Sequence, residues 1–229
     1  MEPHKELPAS IEKYRPSLHD DPKKYFEKSL EFAKAFYSQE MEAIASTKFD
    51  QVTPEYFFRE YMWVVHATGF SAKAVGKFMP RLAAAYGDFR DLASEPLDVA
   101  AKRVCAVCNN PQKIRAIHQM ARIMCKEISS QGWSSYKSKS LCTADKLVNL
   151  PYIGKVTCFH LARNIGLLDS VKPDLHLIRM AEHWGFKDCV SMCKEMKGSS
   201  DIPLGIVDLV LWYAASTFGT LEIKKEGAR

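Results

Sequence analysis

No stretch of the 229-residue sequence approaches the ~20 consecutive apolar residues that a membrane span needs. The best candidate, residues 202–216, is short and carries Asp208, so no membrane is expected as a partner. The opening MEPHKELPASIEKY has no apolar core of a secretory signal, and a secreted protein is not expected. Strict apolar–polar alternation is scarce, which argues against half-buried strands, and no internal repeat of fixed period is visible. A glycine-rich phosphate loop and an HExxH zinc motif are both missing. Seven cysteines, an odd number in a chain of this size, read as reduced thiols of an intracellular protein rather than a disulfide framework.

What is present is ordinary globular material: 47% hydrophobic and 26% charged residues. That composition excludes wholesale disorder. The length allows one domain or two small ones, and a chain of this size hides roughly 70% of its unfolded surface. Lysine and arginine number 32 against 27 acidic residues, a net charge of +5. This mild basicity is compatible with nucleic acid without establishing it.

Apolar residues recur at three- and four-residue spacing almost throughout, so the expected fold class is all-α. Residues 21–47 read as one long helix. Pro54 opens the next, EYFFREYMWVVHA, where a first turn tolerates proline. Ser71 is a candidate cap for AKAVGKFMPRLAAAY, in which Pro80 predicts a kink or a split. Shorter helices follow near 88–93 and 96–105, and a strong amphipathic one spans 111–130. The serine-rich SSQGWSSYKSKS, 129–140, reads as a loop joining two halves. Helical patterns then cover 143–150, 155–165, 175–184, 188–196 and 203–216, while the first twenty and last eight residues read as tails or wraps.

The informative segment is TADKLVNLPYIGKVTCFHLARNIGLLDSVKPDLHLIR, 143–179. Here a helix, a tight PYIG turn and a second helix form a hairpin. Amides left open at the second helix's start, with the positive end of its dipole, suit a phosphate. Ile153 and Gly154 would offer backbone N–H groups, and Lys155 and Thr157 side-chain donors. A plain αα-hairpin needs the same pattern, and on the hairpin alone the two readings are even. Further on, Pro173 stiffens the chain before Asp174, which stands where a helix N-cap belongs.

Taken together, L-P-x-I-G-K-x-T, L-A-R-x-x-G and K-P-D-L-H-L-I-R resemble the helix-hairpin-helix DNA glycosylase superfamily. The resemblance implies two helical subdomains with the hairpin and an active-site cleft between them. It makes Asp174 the catalytic carboxylate, with His176 and Arg179 in step behind it. Upstream, YFFREYMWVVHATGF is similar to a block whose glutamine probes the space left by an extruded base. His66 stands in that glutamine's place, where a buried core histidine is an equal reading. VDLVLWYAAS is similar to the closing helix, with Asp208 and Trp212 structural. The family's bifunctional members carry a nucleophilic lysine two residues after the last hairpin glycine. This sequence has Val156 there, and Lys155 falls one step early, about 100° around a helix.

The resemblance therefore implies a monofunctional enzyme that flips a damaged, mismatched or modified base out of duplex DNA. It would hydrolyse the N-glycosidic bond with Asp174, whose negative charge stabilises an oxocarbenium-like sugar. The alternatives are a glycosylase/lyase using an amine such as Lys155, and a hairpin module that binds DNA without chemistry. Tyr152 stands where the family has glycine, which suggests a side chain reaching toward the groove. Tyr152 and Val156 join His66 as residues expected at the base pocket or intercalation site, and Lys172 is a further phosphate candidate. Cys105-x-x-Cys108 with His118 and Cys125 reads as buried thiols rather than a zinc site. Only Cys189 and Cys193 occur late, too few for the four-cysteine iron–sulfur cluster of many relatives, so no metal or cofactor is expected. Domain boundaries are expected at 1–53 for an N-terminal extension, 54–216 for the glycosylase domain and 217–229 for a tail. The expected state is an intracellular monomer, in the cytoplasm or nucleoid of a prokaryote or the nucleus of a eukaryote.

Overall fold

The structure is a computed structural model that describes residues 8–70 and 72–219. Described helices run Pro22–Phe36 (α1), Ser38–Ser46 (α2), Pro54–Ala67 (α3), Ala72–Tyr86 (α4), Phe89–Ser94 (α5), Leu97–Cys105 (α6) and Pro111–Gln131 (α7). They continue with Trp133–Ser140 (α8), Ala144–Leu147 (α9), Thr157–Asn164 (α10), Leu175–His183 (α11), Cys189–Lys197 (α12) and Leu204–Phe218 (α13). Among the described residues there is no strand, and no helix is long and apolar enough to cross a membrane. The all-α expectation holds.

The chain forms two compact units, one of Thr47–Leu167 and one of the described parts of Glu6–Ser46 and Leu168–Arg229. The chain passes between them at 46/47 and 167/168. Phe26, Phe32 and Ala33 of α1 are buried in the core of the second unit.

In the first unit the second half of α3, Tyr61 to His66, is buried on every side, while Glu55 and Arg59 of its first half stay exposed. Thr53 caps it through the Tyr56 amide, with Pro54 in the first turn as expected. Against it packs α7, whose Ile117, Met120, Ala121 and Met124 are fully buried at helical spacing. Pro80 neither splits nor ends α4, which continues through it to Tyr86. The Ser71 cap lies outside the described residues.

The expected loop at 129–140 is helical instead: α7 runs to Gln131 and α8 begins at Trp133. Distant contacts override the polar composition. The Trp133 indole donates to the Val52 carbonyl at 2.7 Å, Tyr136 is buried, and the Lys137 ammonium caps the Asp50 carbonyl.

In the second unit α13 is the enclosed helix, and α1, α11 and α12 pack on it. The single helix expected over 21–47 breaks at Tyr37, whose ring stacks on Tyr213 of α13 at 4.0 Å and 10°. Burying that ring outweighs continuing the helix. Of the expected tails, residues 9–14 form a 3-10 turn with Tyr14 edge-on to Phe36, and residues 222–229 lie outside the described residues.

Candidate functional site: hairpin and aspartate

The hairpin lies in the first unit. Thr143 caps α9 through the Lys146 amide, and Leu147, Leu150 and Ile153 turn inward to anchor the turn. The Tyr61 hydroxyl, from α3, donates to the Pro151 carbonyl at 2.6 Å and locks the turn from beneath. Tyr152 follows at φ +61°, a left-handed conformation that costs a residue with a β-carbon about 1–2 kcal/mol. The sequence signal was already visible: a left-handed turn position explains why glycine is usual where Tyr152 stands.

The structure redistributes the expected phosphate donors. The Ile153 amide donates to Leu150 O at 3.1 Å, and the Gly154 amide to the Thr157 hydroxyl at 2.7 Å. That hydroxyl in turn reaches the Gly154 carbonyl at 3.3 Å. Ile153, Gly154 and Thr157 thus spend their polar groups inside the turn, because a short turn closes by pairing its own amides. The Lys155 side chain stays exposed at the start of α10, and the amides of Lys155, Val156 and Thr157 make no backbone bond there. Gly154 stays exposed, and a β-carbon there would meet only Thr157 Oγ1, at 3.8 Å. The Val156 side chain is 40% exposed.

His66 is not at the surface. It is fully buried at the end of α3, with Nε2 3.2 Å from the Tyr86 hydroxyl. Burial, reinforced by the Lys113 ammonium, lowers its pKa to about 4. Lys113, itself buried, donates to the carbonyls of His66 and Thr68 at 2.9 and 2.6 Å and so caps α3. Of the two readings open for His66, its surroundings match the buried core histidine. A ring sealed in the core beside a cation cannot stack on a base.

Asp174 lies in the second unit, where the segment before it is stitched to α13. The Gly205 amide donates to Leu168 O at 2.7 Å, and the Lys172 amide to Asp208 Oδ2 at 2.8 Å. Asp208, buried in an otherwise apolar helix, thereby earns its place as a structural acid. A tight turn then brings the Asp174 amide back to Lys172 O at 2.8 Å. Asp174 Oδ1 caps α11, accepting from the amides of His176 and Leu177 at 3.0 and 3.2 Å. Oδ2 is buried and accepts no hydrogen bond; the nearest cation is the Lys172 ammonium, 3.5 Å away. Lys172 therefore sits on the carboxylate, an arrangement that residue spacing alone did not disclose. Burial, with Asp174 and Asp208 adding their negative charge, pushes the neighbouring Cys189 thiol up to about 11.

All seven cysteines are free, and among the described residues no three His, Cys, Asp or Glu side chains are grouped to hold a metal ion. His118 Nε2 engages the Glu95 carbonyl at 2.8 Å.

No protein-family model and no curated protein sequence matches the chain. Solved structures do. The 8-oxoguanine DNA glycosylase of Thermotoga maritima is similar over 83% of this chain and 93% of its own, at 21% identity and a TM-score of 0.60. An 8-oxoguanine glycosylase/lyase of Methanocaldococcus jannaschii, solved with 15mer DNA containing 8-oxoguanine, is similar over 83% of this chain and 96% of its own. Its identity is 16% and its TM-score 0.57. At such identities the likeness establishes the fold, which is that of the helix-hairpin-helix DNA glycosylases.

Proposed function

We propose that this protein is a DNA glycosylase of base excision that hydrolyses the N-glycosidic bond without cutting the strand, with Asp174 as its carboxylate. The observation that carries the reading is the state of that side chain. One oxygen is fixed by two helix amides, while the other is buried and accepts no hydrogen bond. A carboxylate held this way can stabilise a developing positive charge, here the oxocarbenium-like deoxyribose, once the Lys172 ammonium 3.5 Å from Oδ2 gives way. It can also orient the attacking water. Extrusion of the base precedes this step and costs a few kcal/mol, least for a damaged or mispaired nucleotide. The exposed Lys155 ammonium and open amides at the hairpin would hold phosphates without reading sequence.

The shared fold supports the class of reaction. Both similar structures are named for 8-oxoguanine, so that base heads the substrates to test. Val156, unable to form an imine, supports hydrolysis. One observation favours a lyase instead: the Lys172 amine lies 3.5 Å from Asp174 Oδ2.

The test uses end-labelled duplexes carrying 8-oxoguanine, other lesions, mismatches and modified pyrimidines, with Asp174→Asn as control. Breaks appearing only after hot alkali, and lost in the variant, are the expected result. Breaks without alkali, with borohydride trapping abolished by Lys172→Met, would replace hydrolysis by the lyase. No product from any duplex, despite salt-sensitive binding, would favour the module that binds without chemistry.

A further inference from the structure

Cys105-x-x-Cys108 closes α6, and the structure departs from the buried thiols expected there: both residues are half-buried. The backbone stays helical through the pair. Ala106 keeps right-handed φ and ψ, and the amides of Val107 and Cys108 both donate to Val104 O, at 2.9 and 3.0 Å. Residues three apart on such a turn share a face, with Cα atoms about 5 Å apart. That separation falls inside the span of about 4.4–6.8 Å that a disulfide bridges. The Cys105 thiol points along the turn, since it donates to Asn109 Oδ1, beyond Cys108, at 3.7 Å. Both sulfurs also face one group, the Tyr86 hydroxyl, which burial pushes up and which negative charge on Cys108 and Cys105 pushes further. Cys108 lies past the last helical residue, so its side chain can turn toward Cys105 without breaking α6.

The other thiols lack this combination. Cys189 and Cys193 share a face of α12 but are sealed in the core, where burial pushes Cys189 up to about 11 and Cys193 up as well. The thiolate is the nucleophile, so thiols held protonated exchange slowly. Cys125, Cys142 and Cys158 each stand alone in their segment of the chain. We propose that Cys105 and Cys108 are a dithiol site that reacts with a low-molecular-weight disulfide and closes into an intramolecular bond at the α6–α7 turn. One thiolate of the pair attacks the small disulfide, forming a mixed disulfide and expelling a thiolate. The second attacks the protein sulfur of that bond, closing Cys105–Cys108 and expelling the other small thiolate. The pair is oxidised by two electrons, the small disulfide is reduced to two thiols, and the two cysteine protons end on them. Asn110, just beyond, caps α7 through the Lys113 amide at 3.1 Å, so closing the bond constrains the start of that helix. The site is independent of Asp174 and of the glycosylase reading.

The test incubates the full-length protein with glutathione disulfide and alkylates the remaining thiols in denaturant. The tryptic peptide 104–113, which carries both cysteines, is then weighed. The expected product is that peptide lighter by two hydrogens, with Cys189 and Cys193 alkylated. In Cys108→Ser, which cannot close the bond, the glutathione adduct on Cys105 should accumulate at least about tenfold above wild type. A wild-type peptide carrying glutathione on both cysteines, with no internal bond, overturns the proposal, since the thiols then do not meet. Equal adduct in wild type and Cys108→Ser overturns it too, and so does a peptide that stays fully alkylated. A bond that forms in denaturing urea but not in the folded protein overturns it as well, because the turn would then hold the sulfurs apart. Dimers cross-linked through either cysteine, without the internal bond, overturn it in favour of contact between copies.

Discussion

His66 provides a stability switch whose size follows from its surroundings. In the unfolded chain the imidazole titrates near its ordinary value of 6.5; in the folded core burial and the Lys113 ammonium hold it down to about 4. Between those two values the unfolded chain binds a proton that the folded chain refuses, so stability falls as pH falls. The contribution is complete above pH 6.5 and disappears as the pH drops to about 4. A gap of that width corresponds to about 3 kcal/mol, a large fraction of the stability of a typical domain. Urea unfolding of wild type and His66→Gln at pH 7.5, 6.5, 5.5 and 4.5 measures it. Glutamine retains a polar group for the Tyr86 hydroxyl and does not titrate. Its stability at neutral pH is immaterial; the slope decides. Carboxylates contribute equally to both proteins, so wild type should lose about 1 kcal/mol more per pH unit within the window. Equal slopes would refute the buried, uncharged histidine.

Three further outcomes follow from particular contacts. Gly166→Ala should destabilise by more than about 2 kcal/mol in thermal or urea unfolding. Its φ is +83°, and a β-carbon would stand 2.5 Å from Thr47 O and 2.8 Å from the Phe49 amide nitrogen, both backbone atoms. Asp188→Ala should cost about 1 kcal/mol in the same assay, because Asp188 and Ser191 form a reciprocal capping box at α12. Asp174→Asn should abolish base release in the alkali assay while duplex binding at fixed salt stays within about threefold.

The fold was legible wherever local chemistry decides it. Asp21, Thr53, Thr143, Asp174 and Asp188 cap helices where the sequence permits caps, and the apolar spacing of α7 and α11 survives intact. The failures share a cause, which is a partner far away in the chain. Residues 129–140 are polar enough for a loop and become helical because Val52 and Asp50 receive Trp133 and Lys137. The break at Tyr37 answers to Tyr213. The hairpin was recognisable from spacing, yet which amides it leaves open depends on the rotamer of Thr157, invisible in a string of letters. Spacing likewise singled out Asp174 but not the ammonium resting on it. His66 matched a pattern by position, while its burial is decided by Tyr86 and Lys113.

The first unit is an insertion within the second, whose helices come from both ends of the chain. Synthesis proceeds from the N-terminus, so α1 and α2 leave the ribosome before α12 and α13 exist, with only each other and the 3-10 turn at 9–14 to pack on. The 47–167 unit is translated whole before α13, the helix on which α1 packs, is made. Throughout that interval Phe26 and Phe32, buried in the finished protein, lie on an amphipathic helix with nothing to cover them. Any product that stops short of residue 189 lacks both α12 and α13, the helices on which α1 packs, and keeps this face exposed, a ready target for chaperones and proteases. The unit that carries Asp174 therefore completes its fold after the 47–167 unit has been made.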